Sequence, residues 1–136
     1  MISFEILSKV IRKTDIADAV AAAFESGLIN LIQKEIVFNT ISEIVHHADL
    51  EPYFSAENVV YNEQLILQKS RNMIIPDRIV MKPNNEVLLL DYKTGKYEEK
   101  HKFQLENYKN VLEKMNFEVT SKVLVYIGEE IKLIQL

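Results

Sequence analysis

Near residue 58 the hydrophobic period of this chain changes, and that change restricts it to folds that join a helical segment to a β-sheet. Within residues 4–47 apolar side chains recur at spacings of three and four: Phe4, Leu7, Ile11, then Ile16, Ala19, Val20, Ala23, then Ile29, Ile32, Ile36, Ile41, Ile44, Val45. Such spacing predicts three helices that each bury one face. Thr14-Asp15 reads as the cap before the second helix and Gly27 as its end. After the change come short β-rich runs, Val59-Val60-Tyr61, Leu65-Ile66-Leu67, Met73-Ile74-Ile75, Ile79-Val80-Met81 and Val87-Leu88-Leu89-Leu90, which read as three strands. Residues 98–115 return to helical spacing through Phe103, Leu105, Tyr108, Val111, Leu112 and Met115. Residues 123–127 and 131–136 predict two last strands around Gly128-Glu129-Glu130. The expected order is ααα-βββ-α-ββ. It describes one α/β domain, with 1–57 as a helical segment and 58–136 as an α/β core built on a central mixed sheet flanked by helices.

The 136 residues are 48% hydrophobic and contain three Gly and three Pro, which excludes disorder and low complexity. Cysteine is absent, so a disulfide scaffold, a thiolate zinc site and a cysteine nucleophile are excluded. No apolar run approaches the roughly 20 residues that span a bilayer, and no basic flank precedes an apolar stretch at the start. The expectation is a soluble, cytoplasmic protein with no membrane partner. A net charge of −4 argues against coating nucleic acid by phosphate neutralisation alone, but the charge is uneven. Residues 14–68 carry one cation, Lys34, against nine acids, while 69–136 carry twelve cations against ten acids. A polyanion should meet the back half first.

Chemistry concentrates around the turn Pro83-Asn84-Asn85. If Asn84 is its centre, Lys82 faces Glu86 and, further out, Asp77 faces Asp91. Like charges directly opposed on one sheet face are destabilising, so this pair needs a cation. Side chains alternate along a strand, which puts Lys93 on the face of Asp91 and turns Tyr92 away. Two hard carboxylates suit Mg²⁺ or Mn²⁺, which keep waters and accept substrate phosphate oxygens. The chemistry that follows is metal-assisted phosphodiester hydrolysis, with Lys93 orienting the nucleophile or offsetting developing charge. Pro76 lacks a ladder donor, so the strand beginning there is expected to be an edge or to bulge.

Pro76-Asp77-Arg78, then Asp91-Tyr92-Lys93-Thr94-Gly95, then Gln104 and Tyr108 on a helix, together resemble the RecB-type branch of the PD-(D/E)XK nucleases. The resemblance covers residues 58–128. It implies a restriction-endonuclease-like core and a Mg²⁺- or Mn²⁺-dependent deoxyribonuclease, exonuclease in type. Such a module processes DNA ends or single strands for repair or recombination, alongside a helicase motor in the same polypeptide or complex. Carried over residue by residue, it implies that Asp77 and Asp91 bind metal and that Lys93 is catalytic. Glu63 and the Tyr92 carbonyl become further ligands, Gln104 and Tyr108 become supports of the site, and Arg78, Lys96 and Lys100 become contacts to DNA phosphates. That branch usually carries a metal-binding His in its first helix, where this chain has Phe4.

Plainer readings stand beside these. The facing aspartates could be a solvated hairpin, with Asp77 paired to Arg78 or Lys93. Glu63 could be an ordinary strand acid and Tyr108 a packing residue. His46 and His47 read as helix C-terminal charge and packing, and Tyr53 and Phe54 as core; His101, three residues before Gln104, lies on the same helix near the proposed site, with substrate contact the lesser reading. A catalytically silent DNA-binding or interaction module, and a purely structural domain, compete with the enzyme.

Overall fold

The computed structural model describes residues 2–55, 59–62 and 76–136, and it divides into two compact units, Met1–Glu57 and Asn58–Leu136. In the first unit α1 (Ile2–Leu7), α2 (Ile16–Glu25) and α3 (Leu31–Val45) are the three expected helices. Helix α2 ends in a Schellman turn: Gly27, at φ +82°, donates to the Phe24 carbonyl and Leu28 to the Ala23 carbonyl. Asp15 stands at its N-cap position, yet the carboxylate turns back and accepts from the Ile11 and Arg12 amides, closing the short 3-10 turn Lys13–Asp15 instead. Helix α3 carries a reciprocal box in which Asn30 Oδ1 accepts from the Gln33 amide and Gln33 Oε1 from the Asn30 amide. Its buried face is Val37, Ile41, Ile44 and Val45. Ile32 and Ile36, counted in the apolar stripe from spacing, are 77% and 62% exposed because each lies more than a third of a turn from that face. Tyr53 and Phe54 are buried, as expected of core.

The second unit is a five-stranded mixed sheet in the order β1-β2-β3-β4-β5: Val59–Asn62, Arg78–Met81, Glu86–Lys93, Glu118–Ile127 and Ile131–Gln135. β3 and β4 run parallel, joined through α4 (Glu99–Lys114), and the other neighbours are antiparallel. Helix α4 lays Leu105 and Leu112 on one sheet face, against Ile79, Val87, Leu89, Leu124 and Tyr126. The α/β class and the mixed sheet expected from the sequence are therefore present. The central β3 is buried along nearly its whole length, which explains why it reads as a continuous Val-Leu-Leu-Leu run.

The β2-β3 register follows the turn. Arg78 pairs with Leu90, Ile79 with Leu89, Val80 with Leu88 and Met81 with Val87, and the Lys82 amide donates to the Glu86 carbonyl at 2.8 Å. Asn84 and Asn85 adopt φ of 68° and 64°, the left-handed region that asparagine tolerates better than most residues. Asn84→Ala is expected to cost about 1 kcal/mol and Asn84→Gly close to nothing, read as urea midpoints at unchanged m. β2 is not an edge, because β1 covers its other side, and Pro76 sits just ahead of the strand, where no ladder donor is required. The one register shift in the β3-β4 ladder falls between Val87 and Leu88, at the far end of β3 from Asp91. Among the described residues no helix is long and apolar enough to cross a membrane.

Candidate active site

The face covered by α4 begins as an apolar core, with Val87 and Leu89 on β3, and turns polar at the next two positions on that face, Asp91 and Lys93. Asp77 lies at the bend entering β2, and its position opposite Asp91 is fixed by two hydrogen bonds. The Asp77 amide donates to Asp91 Oδ1 at 3.0 Å, and the Tyr92 amide donates to Asp77 Oδ2 at 2.8 Å. Each carboxylate is thus held through the other strand's backbone. The expected cation is present: Lys93 Nζ lies 3.1 Å from Asp91 Oδ2 and donates to Gln104 Oε1 at 3.0 Å. Asp91 is only 3% exposed, so its pairing with Lys93 is partly screened from solvent rather than a loose surface contact.

Two of the three ammonium donors of Lys93 point at Asp91 and Gln104, which leaves one to aim at a ligand. A carboxylate accepts at about four sites, so the bonds that orient Asp91 do not exhaust it. Among the described residues no group of three or more His, Asp or Glu side chains could hold a metal ion by itself. Two carboxylates fit Mg²⁺ nonetheless, since that ion is commonly held by one or two of them together with water and substrate phosphate.

Other expected residues are placed differently. Glu63 lies outside the described residues, as do the runs 65–67 and 73–75. Tyr108, one turn beyond Gln104, is half-buried against the Ile79, Val87 and Leu105 cluster, and that burial raises its phenol pKa. It is positioned as a packing residue. Lys96 and Lys100 are exposed, with Lys100 Nζ 3.7 Å from Glu98. Arg78 is 0% exposed, so the phosphate contact expected of it is not available. It points to the opposite face from Asp77, beside buried Tyr92, whose phenol pKa is pushed up by burial and drawn back by the Arg78 charge. His46 and His47 cap helical turns in the first unit.

Sequence spacing did not identify Tyr126. It is the register partner of Lys93 on β4, and its hydroxyl lies 2.7 Å from His101 Nδ1. His101 is buried, and its pKa lies below the ordinary value, first because of burial and then because of the Lys93 charge. A histidine with a folded pKa below its unfolded value of about 6.5 contributes stability that is intact above that pH and is lost as pH falls through the folded value. The thermal midpoint should therefore drop below pH 6.5 more steeply in wild type than in His101→Gln, as calorimetry across pH would show.

No protein-family model matches the chain. No curated protein matches it either.

Proposed function

We propose that this chain is a divalent-metal-dependent DNA nuclease module of the RecB-type PD-(D/E)XK kind. The observation that carries the proposal is the cross-braced pair Asp77 and Asp91, on adjacent strands, with Lys93 standing on Asp91. In this reading Asp77 and Asp91 hold Mg²⁺ or Mn²⁺, with the Tyr92 carbonyl and Glu63 as candidate further ligands. The ion would polarise the phosphoryl oxygen and acidify a bound water. Gln104 fixes the Lys93 amine, whose remaining donor orients the nucleophile or meets charge building on the phosphate. Exposed Lys96 and Lys100 contact flanking phosphates. The substrate is DNA at ends or in single strands, with a helicase motor as the partner that delivers it, in the cytoplasm.

A second reading, a silent DNA-binding module, is favoured by Phe4 standing where the RecB branch carries its His. Linear DNA incubated with the protein and Mn²⁺ separates the two. Cleavage that stops on chelation supports the enzyme; DNA binding with no cleavage at any Mn²⁺ concentration supports the silent module.

A further inference from the structure

We infer that His101 is a positioning residue for the Asp91 and Lys93 site, acting through Tyr126 to latch the first turn of α4 onto the sheet. Helix α4 has Glu98 at its N-cap with no side-chain cap bond, and the His101 amide closes its first turn on the Glu98 carbonyl at 3.0 Å. The Tyr126 hydroxyl meets that end. Burial raises its pKa above the ordinary value, and a hydrogen bond from the Glu98 backbone opposes the rise. The same hydroxyl reaches His101 Nδ1 at 2.7 Å, with the two rings 5.9 Å apart.

The other imidazole nitrogen points to one tautomer. Nε2 faces Glu98 Oε2 at 3.4 Å, and a carboxylate only accepts. That contact favours the proton on Nε2, and in this tautomer Nδ1 accepts from the Tyr126 hydroxyl. Tyr97 closes the outer side of the Tyr126 ring edge-on, at 6.5 Å between centroids.

This latch bears on Lys93 in two ways. Lys93 and Tyr126 are register partners on parallel strands, so their side chains leave the same sheet face side by side. Gln104, which holds Nζ, follows His101 by three residues and shares its side of the helix. Loosening the first turn of α4 shifts Gln104 against Lys93. Protonating His101 has a related effect, because a second cation then sits near Lys93. The charged and titratable groups around the imidazole are Glu98 and Lys100 from its own segment, Lys93 and Asp91 from β3, and Tyr126 from β4.

The inference rests on the nuclease reading for the role of Lys93, but the latch can be measured without it. The experiment uses the full chain with linear DNA and Mn²⁺, comparing His101→Phe, Tyr126→Phe, their double variant and His101→Gln. His101→Phe and Tyr126→Phe should each lower kcat about 10- to 100-fold, as losses of supporting contacts commonly do, with KM for DNA and calorimetric Mn²⁺ affinity unchanged. The double variant should be no worse than either single one, since one bond is removed in all three. His101→Gln should restore most of kcat, because its amide oxygen can accept from the Tyr126 hydroxyl, and should flatten the acid limb of the pH profile. Hydrogen exchange of the amides in 99–104 should rise in both Phe variants and return in His101→Gln. Unchanged exchange in both Phe variants overturns the latch, and a loss of Mn²⁺ affinity instead of kcat overturns the positioning role. A wild type that neither cleaves DNA nor binds Mn²⁺ overturns the nuclease reading, and with it the role assigned at Lys93, while the exchange data still decide the latch.

Discussion

Asp91→Asn is expected to abolish both Mn²⁺ binding and DNA cleavage, whereas Lys93→Ala is expected to abolish cleavage and leave Mn²⁺ binding intact or tighter. The two residues touch, with Nζ 3.1 Å from Oδ2, yet they act on a dication with opposite sign. Removing the Asp91 charge takes away a ligand. Asparagine keeps an oxygen that can accept from the Asp77 amide, so the bond bracing β2 to β3 has a partner and the fold should stand. Removing Lys93 deletes a positive charge that repels the incoming ion and competes for the same carboxylate, so metal affinity should not fall. On the proposed mechanism what is lost is the donor that would meet the reacting phosphate, and losses of a single such donor run to about 100- to 1,000-fold in kcat. Calorimetry with Mn²⁺ and initial rates on linear DNA check the split. If both variants cleaved at the wild-type rate, the site assignment would be wrong. If Lys93→Ala lost Mn²⁺ binding along with Asp91→Asn, the amine would be a structural partner of the carboxylate rather than a catalytic residue.

The turn made this site legible from sequence. Pro83-Asn84-Asn85 sets the β2-β3 register, and once Asn84 is the centre, strict alternation carries Asp77 to Asp91 and places Lys93 on the same face. Alternation also puts Arg78 on the other face, but it does not say whether that face meets water. A buried arginine and a phosphate-binding arginine have the same one-dimensional pattern. Helix α3 misleads for a related reason: Ile32 and Ile36 fit a three-and-four spacing, yet the helix buries only the side containing Ile41 and Ile44. The His101 and Tyr126 pair was out of reach because it depends on the parallel pairing of β3 with β4, and β4 begins at Glu118, five residues before its apolar run. Local pattern carries no information on such a long-range match.

Arg78→Met should act on stability and not on DNA affinity, the reverse of what a phosphate contact would give. A guanidinium with 0% exposure has given up its hydration, and its charge is compensated inside the protein. Tyr92 lies beside it, and the Arg78 charge and a hydrogen bond to Arg78 both draw the phenol pKa back down against its burial. Deleting it breaks a buried charged arrangement on that face, a change that costs about 3 kcal/mol when one member of such an arrangement is removed. Arg78→Lys should recover little, because an ammonium cannot reproduce the planar fork of donors. Lys96→Ala, at an exposed position in the loop before α4, should stay within about 0.5 kcal/mol of wild type and weaken DNA binding in a salt-dependent way. Urea midpoints and fluorescence anisotropy with a labelled oligonucleotide, measured in the absence of divalent ions, separate the two classes. An Arg78→Met protein as stable as wild type but weaker on DNA would mean that the guanidinium reaches solvent after all. The burial of Arg78 predicts the opposite: the strand entered at Asp77 is anchored from its other face by the next residue in the chain.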